Sequence, residues 1–163
     1  MGSGGDFVGA FSPAHILGSS EETPVVFVTA ELWTHRLFIR LCAAQNERTR
    51  SLDAESAAEF ERFSREVRAT RERGHATRPV PPDQPGEVLS RVPLVVSDDL
   101  GTAYGSAGSS AAGTQTEWRG EWYFEPGVPK AASVLTVRLD TPEGSRRACD
   151  VPLRDLAVPS LPD

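Results

Sequence analysis

Residues 97–110, SDDLGTAYGSAGSS, are the stretch of this chain that most resembles a binding site. Two adjacent aspartates precede a run of glycine and serine, an arrangement found in metal-binding loops, in phosphate-binding loops and in plain turns. A phosphate-binding loop of this kind ends in Gly-Lys-Ser or Gly-Lys-Thr and opens a helix, and neither feature follows here. Adjacent aspartates in a strand point to opposite faces, so they do not make the spaced ligand set of a calcium loop.

A turn explains more of this stretch than a binding site does. Gly101 supplies the positive φ that a tight turn after a strand needs, and the small residues 105–113 predict a mobile loop. One alternative stays open: Asp98, Asp99 and Asp140 are candidate ligands of a cation or small molecule, if the loops that carry them meet.

The histidines and cysteines of this chain show no pattern of a catalytic or metal site. None of the histidines has the spacing of a metal ligand, and no G-x-S-x-G signature accompanies them. The two cysteines do not make a disulfide framework in a chain of this length, so we expect two buried or half-buried thiols. These residues are His15, His35, His75, Cys42 and Cys149. We expect no catalytic residues, no metal and no cofactor.

Length, net charge and composition exclude several classes of protein. A chain of 163 residues forms one domain, and a net charge of −6 argues against a non-specific binder of nucleic acid or of anionic membranes. A membrane span needs about 20 consecutive apolar residues, and no such run occurs. The first residues lack the basic and apolar regions of a signal peptide, so we expect a cytoplasmic protein.

Residues 25–33 and 36–44 alternate apolar and polar side chains and predict a β-hairpin with a turn at Thr34-His35. This alternation gives the hairpin one apolar face. Its other face should be polar but carries Phe27 and Phe38, which predicts that another part of the protein covers it. The register that pairs apolar with apolar side chains is Leu32–Leu37, Ala30–Ile39, Val28–Leu41 and Val26–Ala43.

Residues 52–73 avoid glycine and proline and predict an α-helix that starts at Ser51 or Asp53 and stops at Gly74. Its narrow apolar stripe consists of Ala57, Phe60, Phe63, Ser64 and Val67. Two interpretations remain: the stripe packs on the sheet, or the helix is presented to a partner. The candidate partner surface is Glu59, Arg62, Arg65, Glu66 and Arg68.

The rest of the chain predicts short strands joined by turns. A proline-rich return linker spans residues 75–88. The predicted strands are 91–99, 116–126, 133–140 and 146–153, the last at a sheet edge, with 102–106 as an additional candidate. Trp118, Gly120, Trp122 and Phe124 share one apolar face of their strand, and residues 141–145 predict a tight turn.

This pattern predicts an immunoglobulin-like antiparallel β-sandwich of about seven strands with one inserted α-helix. We expect a loosely ordered N-terminal arm over residues 1–23, a single sandwich domain over 24–155 and a C-terminal tail over 156–163.

The segment VSDDLGTAYG…GTQTEWRGEWYFEPGVPKAASVLTVRL resembles the telokin-like immunoglobulin domain of bacterial proteins of the DUF4352 group. The resemblance covers about half of the chain, implies the fold and implies no catalytic residues. Members are commonly exported or lipid-anchored, and they lack the inserted helix and proline linker. The matching positions are Asp98, Gly101, Tyr104, Gly120, Phe124, Pro126, Leu135 and Val137.

These observations predict a non-enzymatic cytoplasmic module that interacts with a protein partner through the helix, without nucleic acid or membrane as partner. The alternative is a β-sandwich that binds a small ligand or cation with its loops.

Overall fold

The computed structural model describes residues 5–74, 79–113 and 118–156. In these ranges it contains nine strands, one long helix and three short helical turns. The strands are β1 (Phe7–Phe11), β2 (His15–Ser20), β3 (Thr23–Trp33), β4 (Leu37–Ala43), β5 (Leu94–Asp98), β6 (Gly105–Ala112), β7 (Arg119–Glu125), β8 (Val134–Leu139) and β9 (Cys149–Pro152). The helices are α1 (Glu47–Glu72) and α2 (Pro142–Arg146), with 3-10 helices at Pro85–Ser90 and Leu153–Asp155.

The strands form two antiparallel sheets that share one core. The larger sheet has the order β1-β3-β4-β7-β6, with β2 paired to another part of β3, and the smaller sheet has the order β5-β8-β9. Residues from both sheets, such as Phe27 and Val137, belong to the same buried cluster. The predicted mainly β sandwich with one inserted long helix is confirmed, with nine described strands instead of about seven.

The β3–β4 hairpin is confirmed, but half of its predicted register is wrong. The pairs Leu32–Leu37 and Ala30–Ile39 are observed as predicted. Val28 is an extra, bulged residue in β3, so the observed pairs beyond it are Phe27–Leu41, Val26–Cys42 and Val25–Ala43. Because side chains alternate between the faces of a strand, one extra residue reverses the facing of every residue beyond it.

The bulge explains the apolar residues that the sequence placed on the outer face of the hairpin. Val25 and Phe27 point into the core and are fully buried. Phe38 does lie on the outer face and is half-buried. The face therefore needs less cover than the uninterrupted alternation predicted.

The N-terminal segment is not a loose arm. Within residues 1–23, strands β1 and β2 pair with successive parts of β3, and Leu17 is fully buried. Both strands are short and each contains a register shift, so they lack the regular alternation that identifies a strand from sequence. Residues 1–4 lie outside the described ranges, as do residues 157–163 of the predicted tail.

Residues 105–112 were expected to be a mobile loop and form β6 instead. This strand pairs with β7 at the edge of the larger sheet. Its residues are glycine, serine and alanine, which give no apolar alternation. Backbone pairing with β7 therefore determines the strand, and the sequence pattern does not reveal it.

Helix α1 begins earlier than predicted. Asn46 is its N-cap: the Asn46 side chain accepts from the Thr49 backbone N–H at 2.9 Å, and the Thr49 side chain accepts in return from the Asn46 backbone N–H. Ser51 and Asp53 lie inside the helix. The predicted stop at Gly74 is confirmed by its φ of +69°. Among the described residues no helix combines the length and the apolar character that a bilayer crossing requires.

The predicted proline-rich linker ends sooner than expected. Residues 79–84 have no regular structure, whereas residues 85–90 form a 3-10 helix whose Val88 and Leu89 belong to the core. A Cβ at Gly120 would lie 2.9 Å from the Leu89 Cβ, so Gly120 lets this helix approach β7 closely. Residues 75–78 of the linker lie outside the described ranges.

The C-terminal strands follow the sequence pattern. Trp118, Gly120 and Phe124 are buried and Trp122 packs against the core, as their shared face predicted. Residues 116 and 117 of the predicted strand lie outside the described ranges. The predicted turn at 141–145 is instead the short helix α2, and β9 lies at a sheet edge as expected.

Candidate interaction surface

The Asp98 carboxylate organises the turn that follows β5. Its Oδ1 accepts hydrogen bonds from the backbone N–H groups of Leu100 and Thr102, both at 3.0 Å, and its Oδ2 accepts from the Tyr104 hydroxyl at 2.8 Å. Gly101 has a φ of +73°. Burial raises the pKa of the Asp98 carboxyl, but the hydrogen bonds outweigh burial and hold the pKa below its usual value. The predicted turn is confirmed.

The neighbouring Asp99 connects the end of β5 to the start of β8. Its Oδ1 accepts hydrogen bonds from the backbone N–H groups of Ser133 at 2.8 Å and Val134 at 3.3 Å. The bond from Ser133 lowers the pKa of the Asp99 carboxyl. Burial, together with the Asp98 carboxylate, raises the pKa of the Tyr104 hydroxyl, which stays protonated at neutral pH. Both aspartates therefore have structural roles.

The structure does not bring the three aspartates of the candidate loop site together. Asp98 pairs with Leu135 in the antiparallel β5–β8 ladder, so Asp140 lies at the opposite end of that strand pair. The five residue steps from Leu135 to Asp140 span about 17 Å, whereas calcium ligands lie about 2.3–2.6 Å from the ion. Asp140 pairs with Arg138 at 3.2 Å. Within the described ranges no three His, Cys, Asp or Glu side chains are grouped to hold a metal ion.

The thiols and the described histidines show no grouping for chemistry. Cys42 is half-buried and Cys149 is buried, and both are free, as predicted. Burial raises the pKa of both thiols, which keeps them protonated and weakly nucleophilic at neutral pH. His15 Nε2 lies 2.9 Å from the Arg147 carbonyl oxygen, and His35 is exposed at the hairpin tip. The remaining histidine, at position 75, lies outside the described residues.

The outer face of the larger sheet carries a row of four aromatic side chains from β1, β3, β4 and β7. Neighbouring rings pack edge to face, with centroids 5.0 to 6.2 Å apart. The row consists of Phe7, Trp33, Phe38 and Tyr123. The rings of this row cover one another, which accounts for part of the cover predicted for this face.

Beside the aromatic row, Arg40 lies between two carboxylates, 3.1 Å from Glu31 and 3.4 Å from Glu121. An open cavity of about 480 Å³ lies next to the bulged Val28, and Arg40, Cys42 and Glu121 contribute to its lining. Arg119 is a second arginine in the lining of this cavity. The charge of Arg40 is already balanced by its two carboxylate partners.

Helix α1 is attached to the sandwich at its first two turns. Thr49, 2% exposed, is the one buried residue of the helix. Leu52 packs against the core, and the Trp118 indole N–H donates to Asp53 Oδ1 at 3.0 Å. The interpretation in which the whole apolar stripe packs on the sheet is wrong, because Ala57 and Phe60 are exposed. The other members of the stripe, Phe63, Ser64 and Val67, are half-buried.

Beyond Asp53, the helix and the returning chain form what we call the arm, residues 54–74 and 79–84. Val80 and Pro82 line an open cleft of about 320 Å³ together with the middle of α1, including Phe63. Phe60 contacts Phe63, with ring centroids 6.0 Å apart. Phe60 is 58% exposed and Val80 is 86% exposed. The exposed Phe60 and Val80, together with the half-buried Phe63, thus form an apolar cluster, the arm patch.

From Ser51 onward the charges along α1 are sorted by sign, after a first turn that holds Glu47, Arg48 and Arg50. Residues 51–61, the acidic segment, hold four carboxylates and no basic residue, and residues 62–73, the basic segment, hold five arginines and two glutamates. One ion pair, Arg62–Glu59 at 3.8 Å, joins the two segments. All five residues of the predicted partner surface are exposed: Glu59, Arg62, Arg65, Glu66 and Arg68.

Val80 and the start of α1 at Asn46 were missed from the sequence. Val80 was assigned to a linker, and nothing in a proline-rich pattern shows that it lies beside a helix. The detachment of α1 from the sheet had a signal, because half of its residues are charged and the apolar stripe is narrow. Asn46 with Thr49 three residues later was also a readable capping signal.

Comparisons with known proteins identify no relative. No family model matches the sequence, and neither the curated proteins nor the solved structures contain a significant match. The resemblance to a telokin-like domain stays a prediction, and the function is argued from the geometry of the chain itself.

Proposed function

We propose that this protein is a non-enzymatic interaction module, or accessory subunit, that binds a protein partner through the arm. One observation carries the proposal: α1 is a helix of 26 residues of which one is buried, and the arm patch exposes Phe60 by 58% and Val80 by 86%. The arm patch is a concentration of exposed apolar side chains on an otherwise strongly charged element.

The energetics of helices favour a partner for the arm. Most helices in proteins owe their stability to packing of an apolar face, because an isolated helix is marginally stable in water. Among the described residues, the packing of this helix consists chiefly of the attachment at Thr49 and Leu52 and the contact with residues 79–84. Burial of an exposed phenylalanine contributes about 1.5–3 kcal/mol, so a partner that covers Phe60 stabilises both the complex and the arm.

The chemistry of the arm indicates what the partner surface offers. An apolar pocket would receive Phe60 and Val80, which are the anchors of the interface. The charged side chains around them, such as Arg65 and Arg68, lie at the rim, where charges guide orientation and the rate of association more than affinity. The sandwich serves as a rigid base for this arm.

The loops support an interaction module over an enzyme or a ligand-binding domain. The carboxylates of Asp98 and Asp99 accept hydrogen bonds from their own chain, and the Tyr104 hydroxyl donates to Asp98 in the same turn.

Two free thiols, Cys42 and Cys149, fit the reducing cytoplasm that the proposal assumes.

The experiment is a capture from native lysate with the full chain as bait in three forms. The wild type is compared with the double variant Phe60→Ser, Val80→Ser and with the matched control Leu100→Ser. Leu100 is 52% exposed in the Asp98 turn, so the control removes an exposed apolar side chain elsewhere. Melting curves check that all three are folded.

We expect one protein to be captured by the wild type and by the control, and to be lost from the double variant. Equal capture by all three forms would show that the arm patch is not the binding surface, and the proposal would fail.

A further inference from the structure

The order of charges along α1 points to a particular partner. The sign changes from the acidic to the basic segment between Glu61 and Arg62, in the middle of the helix. A helix dipole favours acidic residues in the first turn and basic residues in the last turn, and its effect does not extend to the middle. Charges sorted in this way are complementary to a partner helix whose charges run in the opposite order.

We propose that the partner of the arm is the arm of a second copy of this chain, with the two α1 helices antiparallel; this inference rests on the proposed function. A twofold axis that passes between Glu61 and Arg62 places the acidic segment of each copy along the basic segment of the other. The interface is isologous, since each copy contributes the same two segments.

The apolar side chains agree with this placement. Phe60 and Phe63 lie at nearly equal distances on either side of the axis, so Phe60 of one copy is level with Phe63 of the other. Val80 and Pro82 line the cleft with Glu59, Phe63 and Glu66, and they leave Phe60 58% exposed. The second copy thus completes an apolar contact that the arm begins within one chain.

The charges also select the antiparallel direction. In a parallel pair, residues of the same number are level, so the carboxylates of one copy would face those of the other and the arginines would face arginines. Such like-charge contacts oppose association. In the antiparallel pair the four carboxylates of the acidic segment face a segment with more arginines than glutamates.

The first test measures the mass of the purified full chain by analytical ultracentrifugation over a range of protein and salt concentrations. We expect a concentration-dependent dimer that weakens as salt rises, because the paired charges are exposed to solvent. Phe60→Ser is expected to abolish the dimer, whereas the matched variant Leu100→Ser retains it.

The second test uses two charge-reversed variants. Glu55→Arg with Glu61→Arg changes the acidic segment, and Arg65→Glu with Arg68→Glu changes the basic segment; all four residues are exposed and lie outside the cleft lined by Val80. Each variant alone is expected to dimerise roughly tenfold more weakly than the wild type, since like charges then face each other. An equimolar mixture of the two is expected to regain association, because each altered segment meets its altered complement.

The third test fixes the direction with spin labels on cysteines placed at Ser51 or at Ala58, both exposed helix positions. In the antiparallel pair the two labels at Ser51 are separated by about 30 Å along the axis, and those at Ala58 by about 10 Å, from a rise of 1.5 Å per residue. A parallel pair gives the same short distance at both positions. The labelled wild type serves as the background for Cys42 and Cys149.

The outcomes separate this inference from the proposed function. A chain that is monomeric at every concentration overturns the self-association, and the proposed function stands if the lysate capture still depends on Phe60 and Val80. A monomeric chain with a capture that ignores the arm patch overturns both. A dimer that is unchanged in the Phe60 and charge-reversed variants also overturns the inference, because its contacts then lie elsewhere.

Discussion

At the scale of single residues, carboxylates that look like ligands hold the chain to itself. Asp98 accepts hydrogen bonds from three donors within the next six residues, and Asp99 accepts two from the start of β8. Hydrogen bonds to the charged form of a carboxyl lower its pKa, which is the direction found for both residues. A low pKa in this turn therefore reports a structural role.

The Asp98 hydrogen bonds predict a pH-dependent contribution to stability. Because the folded pKa lies below the unfolded value of about 3.9, the contribution is present above that value and is lost as the pH falls through the folded pKa. Asp98→Asn is expected to lower the free energy of unfolding by about 1–2 kcal/mol at pH 7, and by progressively less in acid. Urea unfolding from pH 7 to pH 3 measures this difference.

The control is Asp140→Asn, which removes an exposed carboxylate 3.2 Å from Arg138 and should change stability little at either pH. A constant difference between Asp98→Asn and the wild type over the whole pH range would contradict the assigned role.

At the scale of elements, the start of α1 decides how the arm is attached. Asn46 caps the helix directly after β4, and the first two turns then bring Thr49 and Leu52 against the sandwich. A start at Ser51 would have removed the first turn, and the buried Thr49 with it. The cap therefore connects the β-hairpin to the arm with a fixed geometry.

The two candidate caps give a direct comparison. Asn46→Ala removes the side-chain acceptor for the Thr49 N–H and is expected to cost about 1 kcal/mol. Ser51→Ala replaces an exposed residue inside the helix by a better helix former and is expected to be close to neutral. Chemical denaturation followed by circular dichroism measures both. A larger loss for Ser51→Ala would mean that the helix begins where the sequence pattern first predicted.

The elements that the sequence predicted well are those whose side chains alone determine them. Leu135, Val137 and Leu139 alternate with polar residues without interruption, and strand β8 contains all three of them. The bulge at Val28 and the strand β6 depend instead on backbone pairing with a neighbour, which local alternation does not encode. The same limit explains why β1 and β2, each short and irregular, were assigned to a loose arm.

At the scale of the whole molecule, the chain combines a well-packed sandwich with a sparsely packed arm. Leu17, Phe27 and Leu135 are fully buried in the core that both sheets share, whereas α1 contributes one buried residue. The charged positions of the predicted helix were enough to predict that the residues of the candidate surface are exposed. The sequence did not predict the arm patch, because Val80 joins the cluster of Phe60 and Phe63 only where the chain returns along the helix.

This contrast predicts two levels of local stability, which amide hydrogen exchange distinguishes. Amides of α1 beyond Asp53 are expected to exchange faster than those of β3 and β4, because few buried apolar contacts oppose local opening of the arm. The first two turns of α1 should be intermediate, since Thr49 and Leu52 are attached to the sandwich. Protection of the arm is expected to rise when its partner binds, while that of β4 stays constant. Equal protection of the arm and the sandwich in the free chain would mean that the helix is stabilised by contacts of its own, and the physical argument for a partner would lose its basis.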